Sequence, residues 1–363
     1  MTHQDYKNII IVGASIGGHT LVNQLYPGLP ADYRILLVEA LEFAFYPIAA
    51  FRAATVPGWE NKITVPLTHD RVFPAGSQHQ VLAPNKLMEC KASSVVLQHP
   101  FEGSTEVPFW RCVIATGATQ QQPMVPDLSS TEEEYKTHLR QNQKELREVR
   151  DVVIIGGGAV GIEFAGDIRC INSKTNITII HPRSGLLEPT PLDPIPASTT
   201  TVPSYSSPPV DPRFSQTLEG HCLKLDISLI FQDRVVIPEP KDVDSADEGE
   251  WKGEYGKQHG TKEVSSTNDG SIFNGQYYAI GDVCNAPGFK AARGAFVGAF
   301  SAAANIKAEI KGKSLTKFSP GLQGLGIPVG HDEGAIMVTL PWIGNWVFGS
   351  TLIGLQRGKT LVR

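Results

Sequence analysis

One supersecondary pattern occurs twice in this 363-residue chain, and it limits the possible folds more than any other feature. Residues 8–12 form a β-branched run of the kind found in buried parallel strands. The glycine-rich turn Gly13-Ala14-Ser15-Ile16-Gly17-Gly18 follows, then a helical stretch over 19–25 and a second strand over 34–38 that ends at Glu39. The pattern returns downstream: a strand at 151–155, the turn Gly156-Gly157-Gly158-Ala159-Val160-Gly161, a helix at 162–170 and a strand at 176–180. Two βαβ units in one chain predict an α/β protein with parallel sheets.

Such turns need small residues for physical reasons. The first glycine makes the tight turn, the second lets the backbone approach a pyrophosphate, and the third lets helix and strand pack closely. The helix start then presents free N–H groups and a positive dipole end to phosphate. The second copy, with Gly156, Gly158 and Gly161, is complete. The first keeps Gly13 and Gly18 but has Ser15 in the middle. Glu39 closes its second strand, where a carboxylate accepts both hydroxyls of an adenosine ribose; an ordinary surface glutamate is the other reading. The second copy has His181 at that place and Arg183 two residues on. Without a carboxylate to repel a 2′-phosphate, this pair leans towards NADPH or mixed use of NADH and NADPH. Arg183 as a plain loop residue is the competing account. Two further strand–turn signals are Ala115-Thr116-Gly117-Ala118, after the apolar 112–114, and Gly281-Asp282 within 277–283, where Asp282 is placed to bond a sugar-like chain.

Between the copies, 130–150 reads as a charged, solvated connecting helix. Residues 186–212 are rich in Pro, Ser and Thr and read as an unpacked insertion, and 238–268 are polar with little strand signal. An Ala-rich helix is expected over 294–309. Hydrophobic residues at 41% against 19% charged fit a globular chain and exclude wholesale disorder. The net charge of −5 argues against nucleic acid as a partner. Cys90, Cys112, Cys170, Cys222 and Cys284 form no CxxC pair and no metal-ligand spacing. They read as buried thiols in a reducing, cytoplasmic setting, and no metal is expected. The start of the chain shows no secretory signal. Residues 335–355 carry no charge and match a bilayer span in length. Pro341, Asn345, several glycines and the central Trp342 and Trp346 argue instead for packed strands or a membrane-surface face.

The order GxSxGG, Glu39, ATGA, GGGAVGIEFAGD, YYAIGDV resembles the two-dinucleotide-fold flavoproteins, and among them the apoptosis-inducing-factor-like and ferroptosis-suppressor-like NAD(P)H oxidoreductases, relatives of type II NADH:quinone dehydrogenases. The local segments 45–54, 56–60 and 344–349, and the basic 357–359, share the likeness. The resemblance implies two Rossmann-like domains. An FAD domain is split over 1–125 and 268–318, an NAD(P)H domain is inserted at 126–267, and a C-terminal segment, 319–363, covers the flavin. It implies that Gly13, Ser15 and Gly18 hold the FAD pyrophosphate, Glu39 its ribose and Gly281-Asp282 its ribityl chain. Arg52 and Ala115-Thr116-Gly117 would lie near the flavin. Gly156, Gly158 and Gly161 would hold the nicotinamide dinucleotide, with His181 and Arg183 at its far ribose and Glu163 near the carboxamide. The flavin carries the chemistry, so no catalytic side chain is assigned. The implied reaction is hydride transfer from NADH or NADPH to FAD, then electron transfer to a quinone or other small acceptor. A flavin-binding protein acting through a partner, and a flavin monooxygenase, are the alternatives.

Two departures matter. Residues 40–60 contain no Cys, which excludes the CxxxxC dithiol chemistry of the disulfide reductases. The second strand–Thr-Gly turn that ordinarily closes the nicotinamide domain is missing after 234–237, so closing strands are expected to be absent there. The C-terminal apolar residues Trp342, Trp346, Phe348 and Leu352 have two readings: a cover buried over the flavin, or, with Arg357, Lys359 and Arg363, a peripheral contact with an intracellular membrane.

Overall fold

The computed structural model describes residues 6–188, 210–235, 275–284, 286, 289, 291–340 and 342–350. The first βαβ unit is β1 (Lys7–Val12), α1 (Ile16–Leu25) and β2 (Tyr33–Val38). Next come β3 (Phe43–Phe45), the helical turn α2 (Ala50–Ala53), β4 (Thr64–Pro66), the one-turn α3 (His69–Val72) and β5 (Gln80–Leu82). A meander of β6 (Leu87–Cys90), β7 (Ser94–Phe101) and β8 (Ser104–Pro108) precedes β9 (Arg111–Ile114) and the long helix α4 (Glu132–Glu148). The second unit is β10 (Asp151–Ile155), α5 (Ala159–Ile171) and β11 (Asn176–His181), followed by α6 (Pro212–Lys224) and β12 (Ile227–Phe231). The last elements are β13 (Tyr277–Ala279), α7 (Ala292–Ile310), β14 (Gln323–Val329), β15 (Glu333–Leu340) and β16 (Gly344–Phe348).

Five parallel strands make the first sheet, in the order β13-β9-β1-β2-β5. Tyr277 thus pairs with Cys112, and the late segment rejoins the early one. The near-continuous apolar strands are explained by cover on both faces. Ile9, Ile11, Ile35, Leu37 and Val113 pack under α1 and α7. Their alternate neighbours, Ile10, Val12, Leu36, Val38, Cys112 and Ile114, pack on the meander through Val95, Leu97, Val107 and Phe109. Of the strand expected over 277–283, only β13 is extended; residues Gly281–Val283 form a 3₁₀ turn.

The second sheet, β10-β11-β12, is also parallel. Ile154, Ile177, Ile179 and Ile227 pack with α5, α6 and the C-terminal sheet β14-β15-β16, whose Ile327, Val329, Ala335 and Met337 are fully buried in the same cluster. The opposite face leaves Val153, Ile155 and Ile230 exposed among the described residues.

Three expectations are corrected. The connecting helix α4 is solvated on one side only: Tyr135, Leu139 and Gln143, four residues apart, are buried. Tyr135 and Leu139 join a cluster with Leu41, Phe43, Ala53 and Ile63, so α4 stands on the first unit despite its place in the sequence. Residues 186–212 do not begin as an unpacked insertion, because Leu186 is fully buried and its carbonyl accepts from Ser215 Oγ at 2.6 Å; 189–209 lie outside the described residues. The uncharged 335–355 segment holds the expected strands, within Glu333–Leu340 and at Gly344–Phe348, and no described helix is long and apolar enough to cross a membrane. The third correction is to its tryptophans, which do not form a buried cover, since Trp342 and Trp346 are exposed; Leu352, Arg357, Lys359 and Arg363 lie outside the described residues.

The C-terminal sheet seats on α5 at a glycine pair. A Cβ on Gly166 would overlap Gly330 N and lie 2.7 Å from Val329 C. Gly166→Ala is therefore expected to cost about 1–3 kcal/mol through overpacking. Urea denaturation checks this, and an unchanged midpoint would contradict the seating.

Candidate functional site

Gly13 ties three strand ends together. Its N–H donates to Val38 O at 2.8 Å, its φ is +102°, and a Cβ there would lie 2.6 Å from Ala115 O. A side chain is excluded by both the backbone angle and the space. Gly18 brings α1 onto the turn, for its Cβ would overlap Gly13 O. Ala115 N donates to Val12 O and Ile280 N to Ile114 O, which sets Ala115-Thr116-Gly117 and Gly281-Asp282 at the same edge. Gly117 and Gly281 both have left-handed φ, at +71° and +78°. The C-terminal ends of β1, β2, β9 and β13 thus share one crevice, where chain order reverses across the sheet; ligands bind open α/β sheets at such a point.

Glu39 faces this crevice. Its Oε2 accepts from Ala14 N at 2.7 Å and its Oε1 from Leu41 N at 3.2 Å. A carboxylate has about four acceptor positions, so two remain for a pair of hydroxyls. Burial raises its pKa from the ordinary value, against the lowering effect of the backbone N–H groups. A carboxyl whose folded pKa is raised gives stability that is complete below the unfolded value and is lost as pH rises through the folded one. Glu39 therefore contributes less to the stability of the ligand-free protein as pH rises through its folded value. Ser15 Oγ donates to Phe45 O at 2.9 Å.

The second turn repeats the first bond for bond. Gly156 N donates to Ile180 O at 2.8 Å, its φ is +112°, and a Cβ on Gly161 would overlap Gly156 O. At Gly158 a Cβ would meet nothing within 4 Å, which is the open cradle a pyrophosphate needs. Even the Glu39 contact has its counterpart, with Gly157 N donating to His181 Nδ1 at 3.1 Å. The equivalence ends there. His181 is 5% exposed and its Nε2 lies 3.1 Å from Glu188 O. A neutral imidazole with Nδ1 accepting and Nε2 donating has no acceptor left. His181 thus supports the turn through both ring nitrogens. Arg183 follows on the loop, where its carbonyl accepts from Gln232 N, and Glu163 lies one turn into α5.

The longer helices differ at their starts. α4 has the Thr131–Glu134 capping box and three glutamates in its first turn, and α6 is capped by Asp211. α1, α5 and α7 have no side-chain cap and no acid in the first turn. Their leading amides and dipoles are left for an anion, so the residues present fit a dinucleotide at each turn.

Arg52, expected near the flavin, forms a bidentate ion pair. Its guanidinium makes two bonds to Asp167 on α5, Nε–Oδ2 at 3.0 Å and Nη2–Oδ1 at 2.5 Å, and lies over Trp59 at 5.3 Å. Beside it Phe51 meets Phe164 edge-on at 4.9 Å. Arg52 thus joins the first unit to the helix of the second cradle. Nothing in the sequence marks Asp167 as its partner, since 115 residues separate them.

Residues 7–198 match the model of the pyridine nucleotide-disulphide oxidoreductase family, and the chain belongs to that family. Among named relatives, Fe-regulated protein 8 of Mycosarcoma maydis is 29% identical over 198 residues, covering 50% of this chain and 49% of that protein. Apoptosis-inducing factor homolog A of Dictyostelium discoideum is 25% identical, over 64% of this chain and 51% of its own length. The chain spans about half the length of these relatives. Ferroptosis suppressor protein 1 of Xenopus laevis is 24% identical over 91% of this chain and 88% of that protein. The fold matches the sulfide:quinone oxidoreductase of Aquifex aeolicus with a TM-score of 0.61 at 14% identity, covering 96% of this chain and 88% of that one. It matches NDH2 of Plasmodium falciparum, solved with NADH, with a TM-score of 0.60 at 11% identity, covering 96% and 92%. The architecture is that of the two-dinucleotide-fold flavoproteins.

Removing one partner of a largely buried ion pair strands the other and costs about 3–5 kcal/mol. Arg52→Ala is expected to lose stability in that range. The Arg52→Ala, Asp167→Ala double variant should recover part of it, as read from a double-mutant cycle in urea. Additive losses would mean the pair is not coupled.

Proposed function

We propose that the chain is an FAD-dependent NAD(P)H oxidoreductase. The observation that carries this reading is the pair of matched, uncapped glycine turns, of which one alone keeps a ribose-type carboxylate, Glu39. FAD, when bound, supplies the redox chemistry, taking hydride from NADH or NADPH and passing electrons to a quinone or other small acceptor. Gly13, Gly18 and the first turn of α1 would hold its pyrophosphate, and Glu39 its ribose. Ala115-Thr116-Gly117 and Asp282 would hold the ring and the ribityl chain. The start of α7 presents N–H groups and a positive dipole end at the same edge, which favours negative charge there. Gly156, Gly158 and Gly161 would hold the nicotinamide dinucleotide and Glu163 would orient its carboxamide, while Arg52 and Asp167 fix the second cradle against the first.

A second reading has its own observation. The second sheet has three strands and an open apolar face among the described residues, against five strands and two covered faces in the first. That favours a flavin-binding protein with slow or no turnover, acting through a partner. One experiment separates the readings. The purified protein is expected to be yellow, to bleach on anaerobic addition of NADH or NADPH, and to recolour with a quinone. A yellow protein that does not bleach supports the second reading, and a colourless one that takes up no added FAD sinks both.

Glu39→Ala is expected to weaken flavin binding roughly tenfold or more, because a charge-assisted hydrogen bond contributes about 1.5–3 kcal/mol. Flavin retained in full after dialysis would contradict the ribose role. Arg183→Ala is expected to raise the Michaelis constant for NADPH and leave that for NADH nearly unchanged; equal effects on both would leave Arg183 a loop residue.

A further inference from the structure

In the first glycine turn, Ala14 is held at both its polar atoms. Its N–H donates to Glu39 Oε2 at 2.7 Å, and its carbonyl oxygen lies 2.7 Å from His19 Nδ1, five residues on in the first turn of α1. A carbonyl only accepts, so the bond places a ring proton of His19 on Nδ1. Ala14 is fully buried, and among the described residues no other donor reaches this carbonyl.

The second turn shows what this bond replaces. The equivalent carbonyl there, Gly157 O, accepts from Leu187 N at 2.8 Å, a backbone donor on the loop that follows β11. The loop after β2 does not supply one, because Leu41 N donates to the Glu39 carboxylate instead. At the place of His19 the second turn has Ile162, which is fully buried and has no polar side-chain atom. One copy thus fastens this peptide through main chain and the other through an imidazole. The bond also sets a direction. In a trans peptide the C=O and the following N–H point to opposite sides. With Ala14 O turned to His19, Ser15 N–H points away from the ring. It is one of the amides that precede the first helical bond, His19 N to Ser15 O at 2.9 Å, in a helix with no side-chain cap.

We infer, on the basis of the FAD binding proposed above, that His19 is a positioning residue of the first cradle: its imidazole holds the Ala14–Ser15 peptide so that Ser15 N–H is aimed at the cofactor's pyrophosphate. Ala14 is common to two links, so the same bond keeps its N–H on Glu39, and the phosphate and ribose contacts are set together. Without the imidazole, a buried carbonyl is left with no donor, a state that proteins avoid. The peptide then turns to find one, and the amide loses the orientation that was fixed before the phosphate arrives. What the role requires is an N–H at the place of Nδ1. It requires neither the rest of the ring nor a charge.

Release of FAD from the purified holoprotein, followed as the rise in flavin fluorescence on dilution, tests this. His19→Leu keeps an apolar bulk and a good helix former but has no donor. His19→Asn puts an N–H where Nδ1 stands and is the poorer helix former. The Leu variant is expected to release FAD roughly five- to tenfold faster than wild type, and the Asn variant within about twofold of it. A contribution to helix stability alone would put the two in the opposite order. His19→Ala is a second donor-free variant should the Leu variant not fold, and far-UV circular dichroism matching wild type shows which are folded. Folded donor-free variants that release FAD at the wild-type rate overturn the inference, as does an Asn variant that releases it as fast as they do. Both results leave FAD binding by wild type intact. A wild type that holds no FAD overturns the proposed function instead, and the role of His19 with it.

Discussion

The structure depends on two places where backbone meets backbone too closely for any side chain. At Gly13 the ends of three parallel strands and the start of α1 converge, and at Gly156 the arrangement is built again. Both glycines hold left-handed angles that other residues adopt only at a cost. The helix starts that follow are bare for a different reason: Ser15 gives its hydroxyl to Phe45 O and Gly158 has no side chain, so neither caps the leading amides.

The two copies diverge by single substitutions with definite chemistry. Glu39 and His181 accept the same bond from the same turn position, but the carboxylate keeps spare acceptors and the imidazole keeps none. One cradle is therefore equipped to hold a ribose through its strand end and the other is not. The copies also differ in cover. The first sheet is sandwiched between helices and a meander, whereas the second, among the described residues, has helices and the C-terminal sheet on one side only.

The Arg52–Asp167 pair and the Phe51–Phe164 contact join the two halves. Both pairs link α2, a short turn of the first unit, to α5, the helix that opens at the second cradle. Their strength sets how firmly one cradle is held against the other. The C-terminal sheet grips α5 from another side through the Gly166–Gly330 approach, so this helix is fixed by contacts drawn from three separate stretches of the chain.

The βαβ repeat, both glycine turns, Glu39 and the return of 277–310 to the first sheet were legible in the sequence, because each rests on local periodicity and on residue types that turn geometry demands. The class of protein followed from their order. What the sequence could not show depends on contacts between distant residues. The partner of Arg52, Asp167, is 115 residues away, and the contacts of His181 with Gly157 and Glu188 depend on how the turn and the following loop close on it. The α4 stripe of Tyr135, Leu139 and Gln143 is readable as periodicity, but not which unit it would cover. The uncharged run around Trp342 could be core or surface on composition alone. Only the tertiary structure decided for the surface, because the turn joining β15 to β16 projects past the end of the sheet, where no other described element covers Trp342. Local chemistry fixes how a segment folds; which segments meet is settled by packing, and here packing decides which of the sequence's candidates face a ligand.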